Sequence, residues 1–231
     1  MQIIERPSPN CDARPEGGAI DMLILHYTGM KTAEEALARL CDPEARVSAH
    51  YTIDRAGQIY RHVAEDMCAW HAGVSFWAGE RNVNARSIGI ELVNPGHEFG
   101  YVPFAIDQIA ALIDLAGEIL ARHPIPPTRV LGHSDVAPTR KTDPGELFPW
   151  RKLAERGIGR FPQIGRCADP AQPAPVADML AQYGYGLPPH VDWPLESVVT
   201  AFQRHFQPEK VDGAADAQTE ALLAALLAEA A

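Results

Sequence analysis

The chain has 231 residues, a formal charge of −10, and 46% hydrophobic against 22% charged residues. At about 150 residues per domain this length holds one catalytic-sized core and a small appendage, and the apolar fraction excludes wholesale disorder. The acidic balance argues against a nucleic-acid partner, and no stretch reaches the roughly 18 consecutive apolar residues of a membrane-spanning helix.

The opening residues, Met1 to Cys11, carry neither the basic nor the apolar region of a secretory signal. The four cysteines (Cys11, Cys41, Cys68 and Cys167) are scattered, with no C-x-x-C pair, and read as separate reduced thiols. Both features point to a cytoplasmic location; the alternative is a periplasmic or secreted one reached by a non-classical route. Residues 21–28 read as a strand and 33–40 as a short helix. Residues 48–53 and 58–63 flank Asp54-Arg-Ala-Gly57, a hairpin with glycine in the turn. A further strand spans 87–93 and stops at Asn94-Pro-Gly. Residues 104–122 form the longest helix, on which Ile106, Ile109, Ile113, Ala116 and Leu120 make an apolar stripe. A last short strand covers 129–133. Strands interleaved with helices predict an α/β fold, a mixed central sheet flanked by helices. Residues 166–175, rich in proline and alanine, read as a linker. Three helices follow, over 176–183, 195–206 and 217–229, with Asp216 as N-cap of the last. The expected organisation is a catalytic domain over 1–165, the linker, and a small three-helix domain over 176–231.

Some residues stand out chemically. His26 shares a strand face with Met22 and Ile24, where an imidazole is costly unless both nitrogens find partners, a metal being one such partner. His133 repeats the situation, and Asp143 follows ten residues later. Two histidines and a carboxylate make a three-donor set with one position open, as in catalytic zinc sites. Glu91 interrupts the apolar run Ile88, Ile90, Leu92 from the opposite face. It is either one end of an ion pair or a general base beside a metal-bound water. Lys141 is either a solvated loop lysine or a cation for a developing oxyanion.

Six motifs occur in order: Leu25-His-Tyr-Thr28, Val47-Ser-Ala-His-Tyr51, Ala69-Trp-His-Ala-Gly73, Ser87-Ile-Gly-Ile-Glu91, Gly132-His-Ser-Asp-Val-Ala-Pro138 and Arg140-Lys-Thr-Asp-Pro-Gly145. Together, over roughly residues 20–155, they resemble the zinc-dependent N-acetylmuramoyl-L-alanine amidases of the type-2 amidase family, which also includes peptidoglycan recognition proteins. The resemblance implies one zinc ion per chain held by His26, His133 and Asp143, with Glu91 activating water and Lys141 stabilising the transition state. It implies hydrolysis of the amide between N-acetylmuramic or 1,6-anhydro-N-acetylmuramic acid and L-alanine, in peptidoglycan or muropeptides. Asp rather than Cys at position 143 matches the branch of bacterial anhydromuropeptide amidases, while Ala85 stands where many relatives carry Asp. His71, Asn84 and Arg86 are candidates for binding the anionic stem peptide.

The tail is similar to small three-helix peptidoglycan-binding domains through Leu180-Ala-Gln-Tyr-Gly-Tyr185, Val199-Thr-Ala-Phe-Gln-Arg-His-Phe206 and Val211-Asp-Gly213. From Val176 onward two basic residues face eight acidic ones, which argues against a DNA-binding helix-turn-helix. The rival readings are a non-catalytic peptidoglycan-binding protein of the same fold and a zinc hydrolase of another amide. The first is disfavoured because such proteins typically lose a zinc donor, whereas this chain keeps all three.

Overall fold

The computed structural model describes residues 2–162 and 174–230. Its first half runs β1 (Ile3–Glu5), β2 (Cys11–Ala13), β3 (Met22–Tyr27), α1 (Ala33–Cys41), β4 (Tyr51–Ile53), β5 (Ile59–Arg61), β6 (Met67–Ala69), α2 (Val83–Arg86) and β7 (Ser87–Leu92). Then come α3 (Gly96–Phe99), α4 (Ile106–Arg122), β8 (Val130–Gly132), α5 (His133–Val136) and α6 (Trp150–Ala154). The chain closes with α7 (Val176–Tyr183), α8 (Leu195–Phe206) and α9 (Ala217–Ala230). Most of the predicted linker, residues 166–173 with Cys167, lies outside the described residues.

Six strands form one mixed sheet in the order β1-β5-β4-β7-β3-β8. Every neighbouring pair is parallel except the β4–β5 hairpin. Strands β2 and β6 pair separately. The central strand β3 is buried on both faces, which is why Met22-Leu-Ile-Leu25 is a continuous apolar run rather than an alternating one. On one face Leu23, Leu25, Ile88 and Ile90 pack under Ile109, Leu112, Leu115 and Ile119 of α4. On the other, Met22, Ile24, Leu131 and Val136 share a core with Trp77 and with Leu180, Tyr185, Phe202 and Leu223 of the C-terminal part.

Local chemistry sets the connections. Thr32 caps α1 by accepting from the Glu35 N–H, and the Glu35 carboxylate accepts from the Thr32 N–H in return. Gly57 closes the β4–β5 hairpin in left-handed conformation (φ +82°), and a Cβ there would meet the Asp107 carbonyl oxygen at 2.8 Å. Asp216 caps α9 by accepting from the Thr219 N–H at 2.9 Å.

Two details differ from the sequence expectation. Ile106 is 79% exposed, and α4 buries Ile109, Leu112, Leu115, Ala116 and Ile119 instead. Two overlapping stripes share Ile109 and Ala116, and the helix rolls toward the one that Leu112 and Ile119 complete. The strand predicted over 129–133 ends at Gly132, so that His133 opens α5. Among the described residues no helix is long and apolar enough to cross a membrane.

Candidate metal centre and active site

Strands β3, β7 and β8 run parallel, and their carboxyl ends open on a cavity of about 340 Å³. His26 is near the end of β3, His133 is the first residue after β8, and Asp143 lies in the loop beyond α5. Their donor atoms converge: His26 Nδ1 is 2.9 Å from His133 Nδ1 and 3.0 Å from Asp143 Oδ2, and His133 Nδ1 is 3.1 Å from the same oxygen. All three residues are buried.

The surrounding hydrogen bonds decide where the protons are. The Ser87 hydroxyl donates to the Val83 carbonyl at 2.7 Å, so toward His71 it can only accept, and the His71 Nε2–H donates to it at 3.0 Å. His71 Nδ1 is therefore a lone pair, and the His26 Nε2–H donates to it at 3.0 Å. His26 Nδ1 is left as an acceptor. The His133 Nε2–H donates to the Ala72 carbonyl at 3.0 Å, which in the neutral ring leaves its Nδ1 as an acceptor too. Burial and the neighbouring His133 ring push His26 down to about 4, so the ring is neutral near pH 7. Asp143 brings a carboxylate oxygen, an acceptor in its ionised form. Three acceptor atoms thus meet with no proton among them. Alone they repel; around a cation each lone pair becomes a ligand. Two imidazoles and a carboxylate are a donor set that suits zinc with one position left open.

Glu91 pairs with His26 across β3 and β7, which places the two on the same sheet face. Its Oε2 is buried without a hydrogen-bond partner among the described residues, while the side chain lines the cavity. Burial and the charge of Asp143 push the Glu91 carboxyl up to about 8, against the pull of Lys141. Lys141 lines the same cavity, and among the described residues its ammonium makes no hydrogen bond or ion pair.

Of the three residues expected to contact substrate, His71 lines the cavity, and Asn84 and Arg86 are not among its lining residues. The His71 ring nitrogens are engaged by His26 and Ser87, and Gly89 makes room for the ring, since a Cβ there would lie 2.5 Å from its Cγ. Asn84 Oδ1 accepts from the His71 and Ala72 N–H groups and shapes that loop. Arg86 is paired with Asp21 and Glu80, and neither it nor Asn84 lines the cavity. Sequence reasoning passed over Ser87, which orients His71, and over Tyr27 and Trp70 in the cavity wall. All three belong to the motifs quoted above, next to or within a few residues of a histidine or acid of the site.

A mixed sheet with a one-metal donor set at the carboxyl ends of its parallel strands, beside an unpaired acid and an ammonium, is the layout of a metal-dependent hydrolase. A family profile described as N-acetylmuramoyl-L-alanine amidase matches residues 16–146, and one described as a putative peptidoglycan binding domain matches 176–223. The chain belongs to the N-acetylmuramoyl-L-alanine amidase family. It is 39% identical to N-acetylmuramoyl-L-alanine amidase AmiD of Escherichia coli, over 97% of this chain and 90% of that one. It is 34% identical to the 1,6-anhydro-N-acetylmuramyl-L-alanine amidase AmpD of Enterobacter cloacae, over 64% of this chain and 86% of the relative. The E. coli AmiD structure, in complex with the substrate anhydro-N-acetylmuramic acid-L-Ala-D-gamma-Glu-L-Lys, superposes with a TM-score of 0.81 over 94% of this chain and 92% of that one. AMPDH3 of Pseudomonas aeruginosa in complex with anhydromuramic pentapeptide, 37% identical, gives 0.82 over 94% of both chains.

Proposed function

We propose that this chain is a zinc-dependent hydrolase of the amide between N-acetylmuramic acid, in ordinary or 1,6-anhydro form, and L-alanine, acting on peptidoglycan or its soluble fragments. The observation that carries the reading is the convergence of the His26, His133 and Asp143 donors at a cavity that His133, Asp143, Glu91, with its unpaired oxygen, and Lys141 line. Relatives solved with anhydromuramyl peptides supply the substrate class.

His26, His133 and Asp143 would hold the zinc, whose Lewis acidity polarises a carbonyl and acidifies water. The Glu91 carboxylate accepts the proton of the attacking water at Oε2 and returns it to the nitrogen of L-alanine as the C–N bond breaks. With its carboxyl pushed up to about 8, the group has the proton affinity that acid–base exchange near neutral pH requires, and a nearby cation draws it lower. Lys141 donates to the carbonyl oxygen as that atom gains negative charge. The C-terminal helices would bind peptidoglycan, in keeping with the profile they match.

Incubation with an anhydro-N-acetylmuramyl tripeptide should release anhydro-N-acetylmuramic acid and a tripeptide with a free L-alanine amine, both read by mass spectrometry. Chelation should abolish the release and one equivalent of zinc restore it. Turnover by metal-free protein would refute the zinc mechanism, and no cleavage with zinc bound would favour a binding protein of this fold.

A further inference from the structure

The carboxylate of Asp135 is fully buried at the seam between the sheet and the C-terminal helices. Its Oδ2 accepts from the Gly132 N–H at 2.7 Å, just before the donor His133. The other two donors come from far along the chain: the Tyr185 hydroxyl reaches Oδ1 at 2.6 Å, and the His205 Nδ1–H reaches Oδ2 at 2.7 Å. Both donors are themselves buried. His205 Nε2 has no partner among the described residues, so Asp135 is the one group to which that ring is hydrogen-bonded there. The ring stacks on Trp150 with centroids 3.7 Å apart.

This seam is mechanically continuous with the metal centre. A Cβ on Gly132 would meet Pro144 at 2.7 Å and Trp150 at 3.3 Å, so the backbone before His133 is enclosed by residues that neighbour Asp143 or carry His205. The Ser134 N–H donates to the Asp143 carbonyl at 2.9 Å, tying α5 to the third donor residue. Asp135 therefore sits where a shift in either body moves His133 against Asp143.

We propose that Tyr185 and His205 are positioning residues for the metal centre: by holding Asp135 they set His133, which makes the C-terminal helices part of the catalytic unit. The inference rests on the zinc reading above. Outer contacts of this kind typically change metal affinity or activity by about 10- to 100-fold when removed.

The test uses full-length protein and three variants: Tyr185→Phe, which removes only the hydroxyl; His205→Leu, which removes the donor; and His205→Asn, whose amide keeps an N–H near the Nδ1 position. Zinc affinity is read by competition with a chromophoric chelator, and the visible spectrum of the cobalt-loaded protein reports donor geometry. Thermal midpoints of the metal-free proteins measure folding separately. Tyr185→Phe and His205→Leu should lose about 10-fold or more in zinc affinity and shift the cobalt spectrum, while His205→Asn stays close to the parent. Folded Tyr185→Phe and His205→Leu proteins with parental zinc affinity and spectrum would overturn the proposal. So would equal losses in His205→Leu and His205→Asn, because packing rather than the donor would then be responsible. A parent protein that binds no zinc would instead fail the functional reading itself.

Discussion

The proton inventory around His26 is settled two hydrogen bonds away from it, at a serine. Because Ser87 spends its hydrogen on the Val83 carbonyl, His71 must donate to Ser87 and accept from His26. The direction of that chain leaves the His26 lone pair facing the centre before any metal arrives. Glu91 is the counterpart, a carboxylate whose buried Oε2 has no such chain among the described residues. Glu91→Gln keeps the shape of the side chain and removes its basicity. It should retain zinc and lower kcat by about 10²–10⁴-fold, the usual contribution of a positioned acid–base group. Steady-state kinetics on a soluble muropeptide with metal content measured in parallel checks this, and parental turnover would place the base elsewhere.

Among the elements, α4 owes its seat to its C-terminal end as well as to its apolar stripe. Arg122 and His123 there, with Tyr51 from β4, all donate to Glu65. Burial opposes the charge, but these donors prevail and bring the Glu65 carboxyl from an ordinary 4.5 down to about 2. A carboxyl lowered in the folded state adds stability above its ordinary value, and that stability is lost as pH falls toward the lowered one. Glu65→Gln should therefore cost about 2 kcal/mol near pH 7, typical of hydrogen bonds to a charged group. The gap in thermal midpoint from the parent should narrow below about pH 4.5. A gap independent of pH would mean that the charge contributes nothing. Legibility in the sequence follows the same scale. Strands β3 and β7 were readable because six residues with a defined facing leave a pattern, and His26 and Glu91 were conspicuous as polar breaks in it. Strands β1, β2 and β6 are as short as β4 and β5, three residues each, but lack the glycine turn that marks those two as a hairpin. Asn84 and Arg86 sit beside a motif in the chain, but only the fold shows that one shapes a loop and the other faces Asp21. An apolar helix face announces that something covers it and never says what, so the contact of α7 and α8 with the sheet could not be read.

For the molecule as a whole, that contact is the main departure from a picture of two separate bodies joined by a linker. Met22, Ile24, Trp77, Leu131 and Val136 are buried in common with α7, α8 and α9. Removing residues 176–231 would expose them at about 1.5–3 kcal/mol for each large side chain and strand the Asp135 carboxylate with a single donor. The truncated chain should show a lower thermal midpoint and depressed turnover on soluble muropeptides as well as on insoluble wall. Retention of the soluble activity and of the midpoint would restore the picture of a detachable anchor. A shared core also has a geometric meaning for a polymeric substrate. A module on a flexible tether sweeps out a sphere and lets its partner reach any bond within it. Here a glycan strand gripped by the helices would be offered to the cavity at one angle and one offset, so the protein would act as a caliper, and which stem it cuts would be measured from where it holds.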